Sequence, residues 1–255
     1  MKSDVGKVDL SHLKAFLNFN SVSNPVISII IPSFNEEKSL EIILCRTHDV
    51  FEKLDVPHEI IVINDGSTDK TSEVALRNKT RLVENPRNIG KGASLKRGLE
   101  RARGEFIVFM DADGENKPED IPLLLQPFLY DKNLSVVIGS RFRGRVEREV
   151  RSRTLIIGNK IINLVIFLLT GRYVTDSQSG FRAFRYDALK DMNIDSYGFD
   201  VETEMLIKLL RKGFEFKEVP VTFDQRIEGV SRLNPFKDGF KILKAILKYS
   251  MTNNG

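Results

Sequence analysis

Three carboxylates follow an apolar run in the middle of the chain. The run Glu105–Met110 ends at Asp111, and Asp113 and Glu115 follow at alternate positions. Clustered carboxylates repel one another and raise each other's pKa, so a bound cation would relieve them. Oxygen ligands of this kind suit Mg²⁺ or Mn²⁺, particularly beside a phosphate. A solvated turn with an Asx bend and a helix cap fits these residues equally well, and the surrounding sequence has to decide.

Strand-like and helix-like segments alternate from Val26 onward. Five short apolar runs have strand length: Val26–Ile31, Glu59–Ile63, Thr80–Glu84, Glu105–Met110 and Ser135–Ile138. Helical patterns and short loops separate these runs, which predicts an α/β fold with a mostly parallel sheet covered by helices on both sides. Ligands of such sheets bind outside the carboxyl ends of the strands. Three polar loops are expected to meet at that edge, holding Asn35-Glu36, Asp65-Gly66-Ser67 and Asp111-Ala112-Asp113.

Composition predicts one globular domain with short appendages. The chain has 255 residues, of which 41% are hydrophobic and 29% are charged, which is enough for a complete core. We divide it into an N-terminal extension (1–24), a main domain (25–233) and a C-terminal helix (234–255). The net charge of +4 gives no indication of nucleic-acid binding, and the single Cys45 excludes an internal disulfide. No apolar run reaches the ~20 residues that span a bilayer, which favours a cytoplasmic location.

Two loops have residues that suit a nucleotide. Asp65-Gly66-Ser67 follows a strand and is either an ordinary capped turn or a carboxylate with small neighbours that admit a nucleotide. Asn88-Ile89-Gly90-Lys91-Gly92 precedes a helix, where backbone N–H groups and a lysine would face an anionic ligand. Its spacing does not match the Walker phosphate-binding motif.

Four motifs in order resemble those of family 2 glycosyltransferases, which have the GT-A fold. They are Ile31-Pro32-Ser33-Phe34-Asn35-Glu36, Asn64-Asp65-Gly66-Ser67-Thr68-Asp69, Asn88-Ile89-Gly90-Lys91-Gly92 and Asp111-Ala112-Asp113. The resemblance implies that the first motifs bind the nucleotide, through Pro32, Phe34, Glu36, Asp65, Gly66, Ser67 and Lys91. It implies that Asp111 and Asp113 bind the ribose and a diphosphate-bound Mg²⁺ or Mn²⁺, with Glu115 as a third candidate ligand. Asn64 stands where many relatives have aspartate.

Later motifs resemble one branch of that family, the dolichyl-phosphate mannose and glucose synthases. They are Asp176-Ser177-Gln178-Ser179-Gly180-Phe181-Arg182 and Arg226-Ile227-Glu228-Gly229-Val230-Ser231-Arg232. The resemblance implies that Asp176 lines the active site and that Arg226 and Arg232 close over the donor phosphates. Gly114 follows Asp113 where mannose synthases usually have leucine, so a glucose-type sugar carried by UDP is preferred, while GDP-mannose stays open.

Arginines and two helices predict how the acceptor is bound. Arg141 directly follows a strand at the ligand edge and suits two-pronged phosphate binding, with Arg153 a weaker candidate. The apolar segment Leu155–Thr170 is too interrupted for a membrane span and fits a buried or interfacial helix. Phe236–Met251 is basic and amphipathic, with four lysines on one face and Phe236, Phe240, Leu243 and Leu247 on another. It predicts either contact with a membrane surface or packing on its own domain.

These expectations combine into one leading hypothesis. The chain would transfer a hexose from a nucleotide sugar to dolichyl or another polyprenyl phosphate, with a metal and with inversion, peripherally on the cytoplasmic face of the membrane. A phosphate acceptor is already anionic, so no catalytic base is required. Transfer to a glycan or protein hydroxyl would need such a base, for which Asp200, Glu202 or Glu204 are candidates. A non-enzymatic nucleotide-sugar-binding protein is the third hypothesis.

Overall fold

A mixed sheet of seven strands lies at the centre of the part of the chain that the structure describes. The structure is a computed structural model, and it describes residues 8–20, 25–143, 153–227 and 235–251. The strands are β1 (Ile27–Ser33), β2 (His58–Asn64), β3 (Arg81–Glu84), β4 (Phe106–Phe109), β5 (Leu134–Ser140), β6 (Arg182–Arg185) and β7 (Glu215–Pro220). Their order is β3-β2-β1-β4-β6-β5-β7, and β6 alone among them runs antiparallel to its neighbours. The prediction of a mostly parallel sheet is confirmed.

Helices cover both faces of the sheet. They are α1 (Leu10–Asn20), α2 (Glu37–Leu54), α3 (Thr71–Arg77), α4 (Lys91–Leu99), α5 (Ile121–Leu125), α6 (Pro127–Tyr130), α7 (Arg153–Thr170), α8 (Tyr186–Leu189), α9 (Val201–Arg211) and α10 (Pro235–Met251). Alternate residues of β1 enter two different apolar clusters, Ile29 and Ile31 on one side and Ile30 on the other. A central strand buried on both faces therefore has an unbroken apolar sequence rather than an alternating one.

Strand β6 was not predicted from the sequence, and its direction brings a loop to the ligand edge. Arg182, its first residue, pairs with Phe109 of β4 and with Ile138 of β5. Both partners lie at the carboxyl ends of their strands, so the chain enters β6 at that edge. The segment 176–181 consequently lies beside the loops that follow β4 and β5. Strand β7 was also missed, because Glu215–Pro220 carries three charged residues in six positions.

The terminal helices pack into the core. Leu13 and Leu17 of α1 are 0% and 1% exposed and join the cluster that contains Phe106, so α1 contributes to the core although residues 1–24 were predicted as an extension. In α10 the buried residues include Ile242, Ala245, Ile246 and Tyr249. Phe240 and Leu247, which the sequence grouped on one apolar face, are exposed, and Leu243 of that face is half-buried. The helix packs on its own domain against α7 and α9, one of the two predicted alternatives, but through a neighbouring side rather than through that face.

Candidate active site

The loop after β2 is joined to the loop before α4 through a buried carboxylate. Asp65 accepts hydrogen bonds from Asn85 Nδ2 at 2.7 Å and from the backbone N–H groups of Ile89 and Gly90, both at 2.9 Å. The Gly92 N–H donates to the Tyr197 carbonyl at 2.9 Å. These backbone N–H groups were expected to face an anionic ligand. The structure gives them protein acceptors, so that expectation is corrected.

The predicted nucleotide residues lie at one edge of the sheet. Ser67 Oγ accepts a hydrogen bond from the Asn35 N–H at 2.9 Å, which joins the loops after β1 and β2. Gly66 has a φ of +73°, and a Cβ there would lie 2.5 Å from the backbone carbon of Arg87. The loop after β2 passes close to the loop after β3 and therefore requires glycine at this position. Pro32 and Phe34, at the end of β1, are partly exposed at the same edge.

Lys91 connects Asp111 to helix α9, a contact that was not predicted from the sequence. Its Nζ lies 2.6 Å from Asp111 Oδ1 and 2.7 Å from Glu202 Oε1 at the start of α9. Burial disfavours the ammonium, but attraction to the two carboxylates outweighs it and raises the pKa of Lys91 above its ordinary value. A Cβ on Gly180 would lie 2.8 Å from this Nζ. Glycine in the 176–181 loop thus lets the backbone rest against the ion cluster.

Lys91→Met should destabilise the protein by about 3 kcal/mol, because it leaves the buried Glu202 and the partly buried Asp111 without their shared cation. Urea unfolding measures the change. Lys96→Met on the same helix is the control, since Lys96 is partly exposed and contacts the exposed Asn193 side chain. The double variant Lys91→Met, Glu202→Gln should recover part of the loss. Equal unfolding free energies for the Lys91 and Lys96 variants would contradict a structural role for this ion cluster.

Asp113 is paired with an arginine from the far end of the chain. Its Oδ2 lies 2.7 Å from Nη2 of Arg226, and Nη1 of the same guanidinium lies 2.8 Å from Glu36 Oε1. Burial, together with repulsion from Asp111 and Glu115, raises the pKa of Asp113 to about 7. Glu36 and Asp113 were predicted as nucleotide and metal residues respectively. The structure brings them together on one guanidinium.

The carboxylates fit a divalent cation that is completed by a substrate phosphate. Among the described residues no three acidic, histidine or cysteine side chains form a ready metal cluster. Asp111, Asp113 and Glu115 therefore do not act as a preformed three-ligand set, because Asp111 turns to Lys91 while Asp113 turns to Arg226. Mg²⁺ commonly uses one or two carboxylates and takes its other ligands from phosphate and water. Asp113, which is buried and disfavoured as an anion by its neighbours, suits such a site.

The segment 221–227 lies along the loop that follows β4. The Asp224 N–H donates to the Glu115 carbonyl at 3.0 Å and the Ile227 N–H donates to the Asp113 carbonyl at 3.1 Å. Gly114 has a φ of +84°, and a Cβ there would lie 2.4 Å from Ile227 Cδ1. Backbone conformation and close packing therefore explain why residue 114 is a glycine. The motif resemblance used the same glycine as an indication of the sugar.

Gly114→Ala should destabilise the protein by about 2 kcal/mol, since alanine is strained at positive φ and would push Ile227 away. It should also raise the donor KM, because the displaced segment carries Arg226. Chemical unfolding and donor titration measure the two effects. Gly158→Ala is the control, because a Cβ there meets no atom within 4 Å. Unchanged stability of the Gly114 variant would mean that the 221–227 segment does not rest on this loop.

Arg141 is held by a two-pronged ion pair at the end of β5. Its Nε and Nη2 lie 2.7 and 2.8 Å from the two oxygens of Asp176, and its backbone N–H donates to Oδ2 at 2.9 Å. The guanidinium lies over the Phe223 ring, 5.3 Å from its centroid. Burial opposes its charge, but Asp176, Glu115 and Asp111 outweigh that effect and raise the pKa of Arg141. Within the described part of the chain, Nη1 has no hydrogen-bond partner in the protein, which leaves two N–H donors for an anion.

The fold and these loops match a known family of enzymes. The family model described as glycosyl transferase family 2 matches residues 28–192. The chain belongs to this family. It is a glycosyltransferase, and the sequence motifs that suggested the family are confirmed in that respect.

Several relatives of the glycosyltransferase are similar over most of its length. An uncharacterized protein of Methanocaldococcus jannaschii is 33% identical, covering 88% of this chain and 92% of that protein. A dolichyl-phosphate beta-glucosyltransferase of Trichomonas vaginalis is 32% identical, covering 80% and 67%. A dolichol-phosphate mannosyltransferase of Pyrococcus furiosus is 33% identical, covering 87% and 63%. The chain thus spans about two thirds of the last two relatives.

Solved structures support the same fold. Glucosyl-3-phosphoglycerate synthase from Mycobacterium tuberculosis, crystallised with Mn²⁺, UDP-glucose and phosphoglyceric acid, has a TM-score of 0.73 and 22% identity. The alignment covers 96% of this chain and 85% of that one. The glycosyltransferase therefore has the GT-A fold, as the motifs predicted.

Two buried charged residues hold the segment around Asp176 in place in the glycosyltransferase. Neither was predicted from the sequence as a site residue. Glu218 of β7 accepts hydrogen bonds from the N–H groups of Thr175 and Asp176, both at 2.9 Å. Arg182 donates to the carbonyls of Ser177, Ser179 and Glu202, and burial lowers its pKa to about 10. The alternation of β7 carried a signal for Glu218, because it shares a strand face with Phe216 and Pro220.

The candidate bases are largely committed to other partners. Glu204 is fully buried, accepts from the N–H groups of Asp195 and Ser196, and lies beside the Lys208 ammonium. Glu202 lies on Lys91. Asp200 directly precedes α9 and is partly exposed.

Two predicted arginines cannot be compared with the structure. Arg232 lies outside the described residues, as does the rest of its motif after Ile227. Arg153 is the first residue of α7, and its side chain lies outside the described part.

Proposed function

We propose that this glycosyltransferase transfers a hexose from a nucleotide sugar to a polyprenyl phosphate such as dolichyl phosphate. The observation that carries the proposal is the Arg141–Asp176 pair, which fixes a guanidinium at the ligand edge, where its Nη1 has no hydrogen-bond partner among the described residues. A phosphate acceptor needs such a group. The names of the glucosyl and mannosyl relatives, both of which act on a dolichyl-linked phosphate, support the same acceptor.

The acceptor chemistry explains why a free base is not required. A phosphate monoester carries about 1.5 to 2 negative charges at neutral pH, so its oxygen is already a nucleophile. Arg141 would hold that phosphate without removing a proton. The commitment of Glu202 and Glu204 to Lys91, Lys208 and backbone groups supports this acceptor over a hydroxyl, for which Asp200 would be the remaining candidate base.

On the donor side, charged groups exchange partners when the nucleotide sugar binds. Arg226 would leave Asp113 and Glu36 and bind the donor diphosphate. The diphosphate carries more negative charge than either carboxylate and therefore attracts the guanidinium more strongly. Asp113, with Asp111 nearby, would then hold Mg²⁺ or Mn²⁺. A bound metal would offset the negative charge that develops on the departing nucleoside diphosphate. Arg232, in the same motif, is proposed to bind those phosphates too.

The finer features of the reaction belong to the same proposal. We propose a single displacement with inversion, because the anionic phosphate oxygen can attack the anomeric carbon directly. UDP with a glucose-type hexose is preferred, and GDP-mannose is the second candidate. The enzyme would act on the cytoplasmic face of a membrane, where its lipid acceptor lies, as a peripheral protein.

An assay with radiolabelled donors tests the proposal. The full chain is incubated with UDP-glucose or GDP-mannose, Mg²⁺ or Mn²⁺, and a short polyprenyl phosphate in detergent. Label should enter the organic phase only with the phosphorylated lipid, and NMR of the product should show an inverted anomeric centre. The matched control is the corresponding polyprenol without phosphate. Donor hydrolysis without lipid product, or equal transfer to the polyprenol, would contradict the proposed acceptor.

A further inference from the structure

Helix α7 has an apolar face that no described part of the chain covers. Ile157, Ile161, Leu164 and Leu168 are 58%, 51%, 55% and 71% exposed. Their spacing of four, three and four residues places them along one side of the helix. The opposite side is buried through Ile162 and Ile166. A row of large aliphatic residues exposed on a solvent-facing surface indicates an interaction site.

The neighbouring helix α10 adds positive charge next to this face. It packs against α7 and shares the same core cluster, so the outer sides of the two helices lie side by side. Lys241 and Lys244 are exposed on α10, as are Phe240 and Leu247. The sequences of α7 and α10 together hold six basic residues and a single acidic one, Asp238. Their net charge of +5 thus exceeds the +4 of the whole chain.

We infer that the outer faces of α7 and α10 form a docking surface for a bilayer that contains anionic phospholipid. An apolar row beside exposed lysines matches the depth profile of such a membrane, with aliphatic side chains below the headgroups and ammonium groups among the phosphates. A second copy of the chain is disfavoured as the occupant, because two such faces would bring like charges together. The inference rests on the proposed function in that a membrane lipid is the acceptor.

The buried side of α7 connects this surface to the acceptor site. Asn163 Nδ2 donates to the Thr175 carbonyl at 2.8 Å, and Asn163 Oδ1 accepts from the Ser177 N–H at 3.3 Å. Between these two residues lies Asp176, which holds Arg141. The helix that would lie on the membrane is therefore fixed by direct hydrogen bonds to the segment that orients the proposed phosphate-binding arginine. This connection would bring a lipid headgroup to the site while its chain stays in the bilayer.

Vesicle binding tests the surface without donor or acceptor present. The full chain is sedimented with vesicles of phosphatidylcholine mixed with the anionic lipid phosphatidylglycerol, because a negatively charged membrane surface attracts basic segments. Leu164→Gln with Leu168→Gln should weaken binding by about tenfold, since two exposed aliphatic side chains are lost from the interface. Ile42→Gln with Leu76→Gln is the matched control, because these residues are similarly exposed, 43% and 62%, on α2 and α3. The control should bind like the wild type.

Charge is tested separately. Lys241→Gln with Lys244→Gln should weaken binding to the anionic vesicles by about tenfold or more. Lys53→Gln with Lys132→Gln makes the same change in net charge at exposed positions elsewhere and should have little effect. Unchanged binding of both the Leu164/Leu168 and the Lys241/Lys244 variants would overturn the proposal. So would a wild-type dimer in sedimentation velocity that the Leu164/Leu168 variant converts to monomers, because a second copy would then cover the face.

The two proposals fail in different ways. If lipid product forms in detergent but the wild type does not bind vesicles, the docking surface is wrong and the proposed reaction stands. If vesicle binding depends on both helices but no donor is transferred to polyprenyl phosphate, the reaction is wrong and the surface stands.

Discussion

Asp113→Asn is expected to lower kcat about 10³-fold, a loss of about 4 kcal/mol in transition-state stabilisation. The carboxylate is buried, and the guanidinium of Arg226 balances its charge. Donor binding would move that guanidinium to the diphosphate and leave Asp113 as an oxygen ligand for the metal. Asparagine fills the same space but supplies no negative charge, so the metal would be bound weakly where charge develops on the leaving group.

Steady-state kinetics and a metal titration check this expectation together. The variant should need a much higher Mn²⁺ concentration, and electron paramagnetic resonance should show weaker Mn²⁺ binding with UDP present. Asp49→Asn, an exposed aspartate on α2, is the control and should behave as the wild type. Turnover within threefold of the wild type, with normal metal dependence, would remove Asp113 from the proposed mechanism.

The same variant has an expected pH signature in the absence of metal. The pKa of Asp113 is raised to about 7 by burial and by Asp111 and Glu115, whereas in the unfolded chain it is about 3.9. Between these two pKa values the Asp113 carboxyl is protonated in the native protein and ionised in the unfolded chain. The free energy of unfolding therefore falls as pH rises, and the contribution of Asp113 is lost completely above pH 7. Asparagine does not titrate. In EDTA, the Tm of Asp113→Asn relative to wild type should therefore increase from pH 5 to pH 8, as differential scanning calorimetry would show.

The sequence predicted the motifs at the sheet edge better than it predicted their contacts. Asp65, Asp111 and Asp113 each follow an apolar strand, and the rule for parallel sheets was enough to bring them to one edge. Their partners come from distant segments. Lys91 meets Glu202 across 111 positions of sequence, and Arg226 meets Glu36 across 190. No local pattern encodes such pairs, because tertiary packing alone decides which buried charges meet.

Local patterns also misled where packing selects among similar faces. The lysine and phenylalanine spacing of α10 allowed more than one apolar side, and contact with α7 and α9 buried Ile242 and Ile246 rather than Phe240 and Leu247. Likewise, the glycine-rich loop before α4 has the composition of an anion site. Asp65 and Tyr197 take up its N–H groups instead. In both cases the sequence identified the apolar residues or the N–H donors, but it did not identify the groups that they contact.

Arg141→Gln is expected to lower kcat/KM for the lipid phosphate by about 10³-fold, since a charged donor to the acceptor phosphate is lost. The structure gives a reason to expect the effect on the acceptor rather than on folding alone. Two nitrogens of the guanidinium are already bound to Asp176, so the arginine is held in place before substrate arrives. The donor KM should change little. Asp111 and Glu115 act on Arg141 through charge, whereas Asp176 both pairs with it and accepts its hydrogen bonds.

Two further variants separate charge from geometry at this position. Arg141→Lys keeps the charge but cannot span both oxygens of Asp176, so it should recover only part of the activity. Arg77→Gln, on α3 and 67% exposed, is the control and should lose little. Circular dichroism and Tm show whether each variant is folded, and substrate titrations separate the acceptor KM from the donor KM. If Arg141→Gln stays folded and its kcat/KM for polyprenyl phosphate falls less than threefold, another group binds the acceptor phosphate, and Arg141 serves to fix Asp176 and the segment 175–177 against β5.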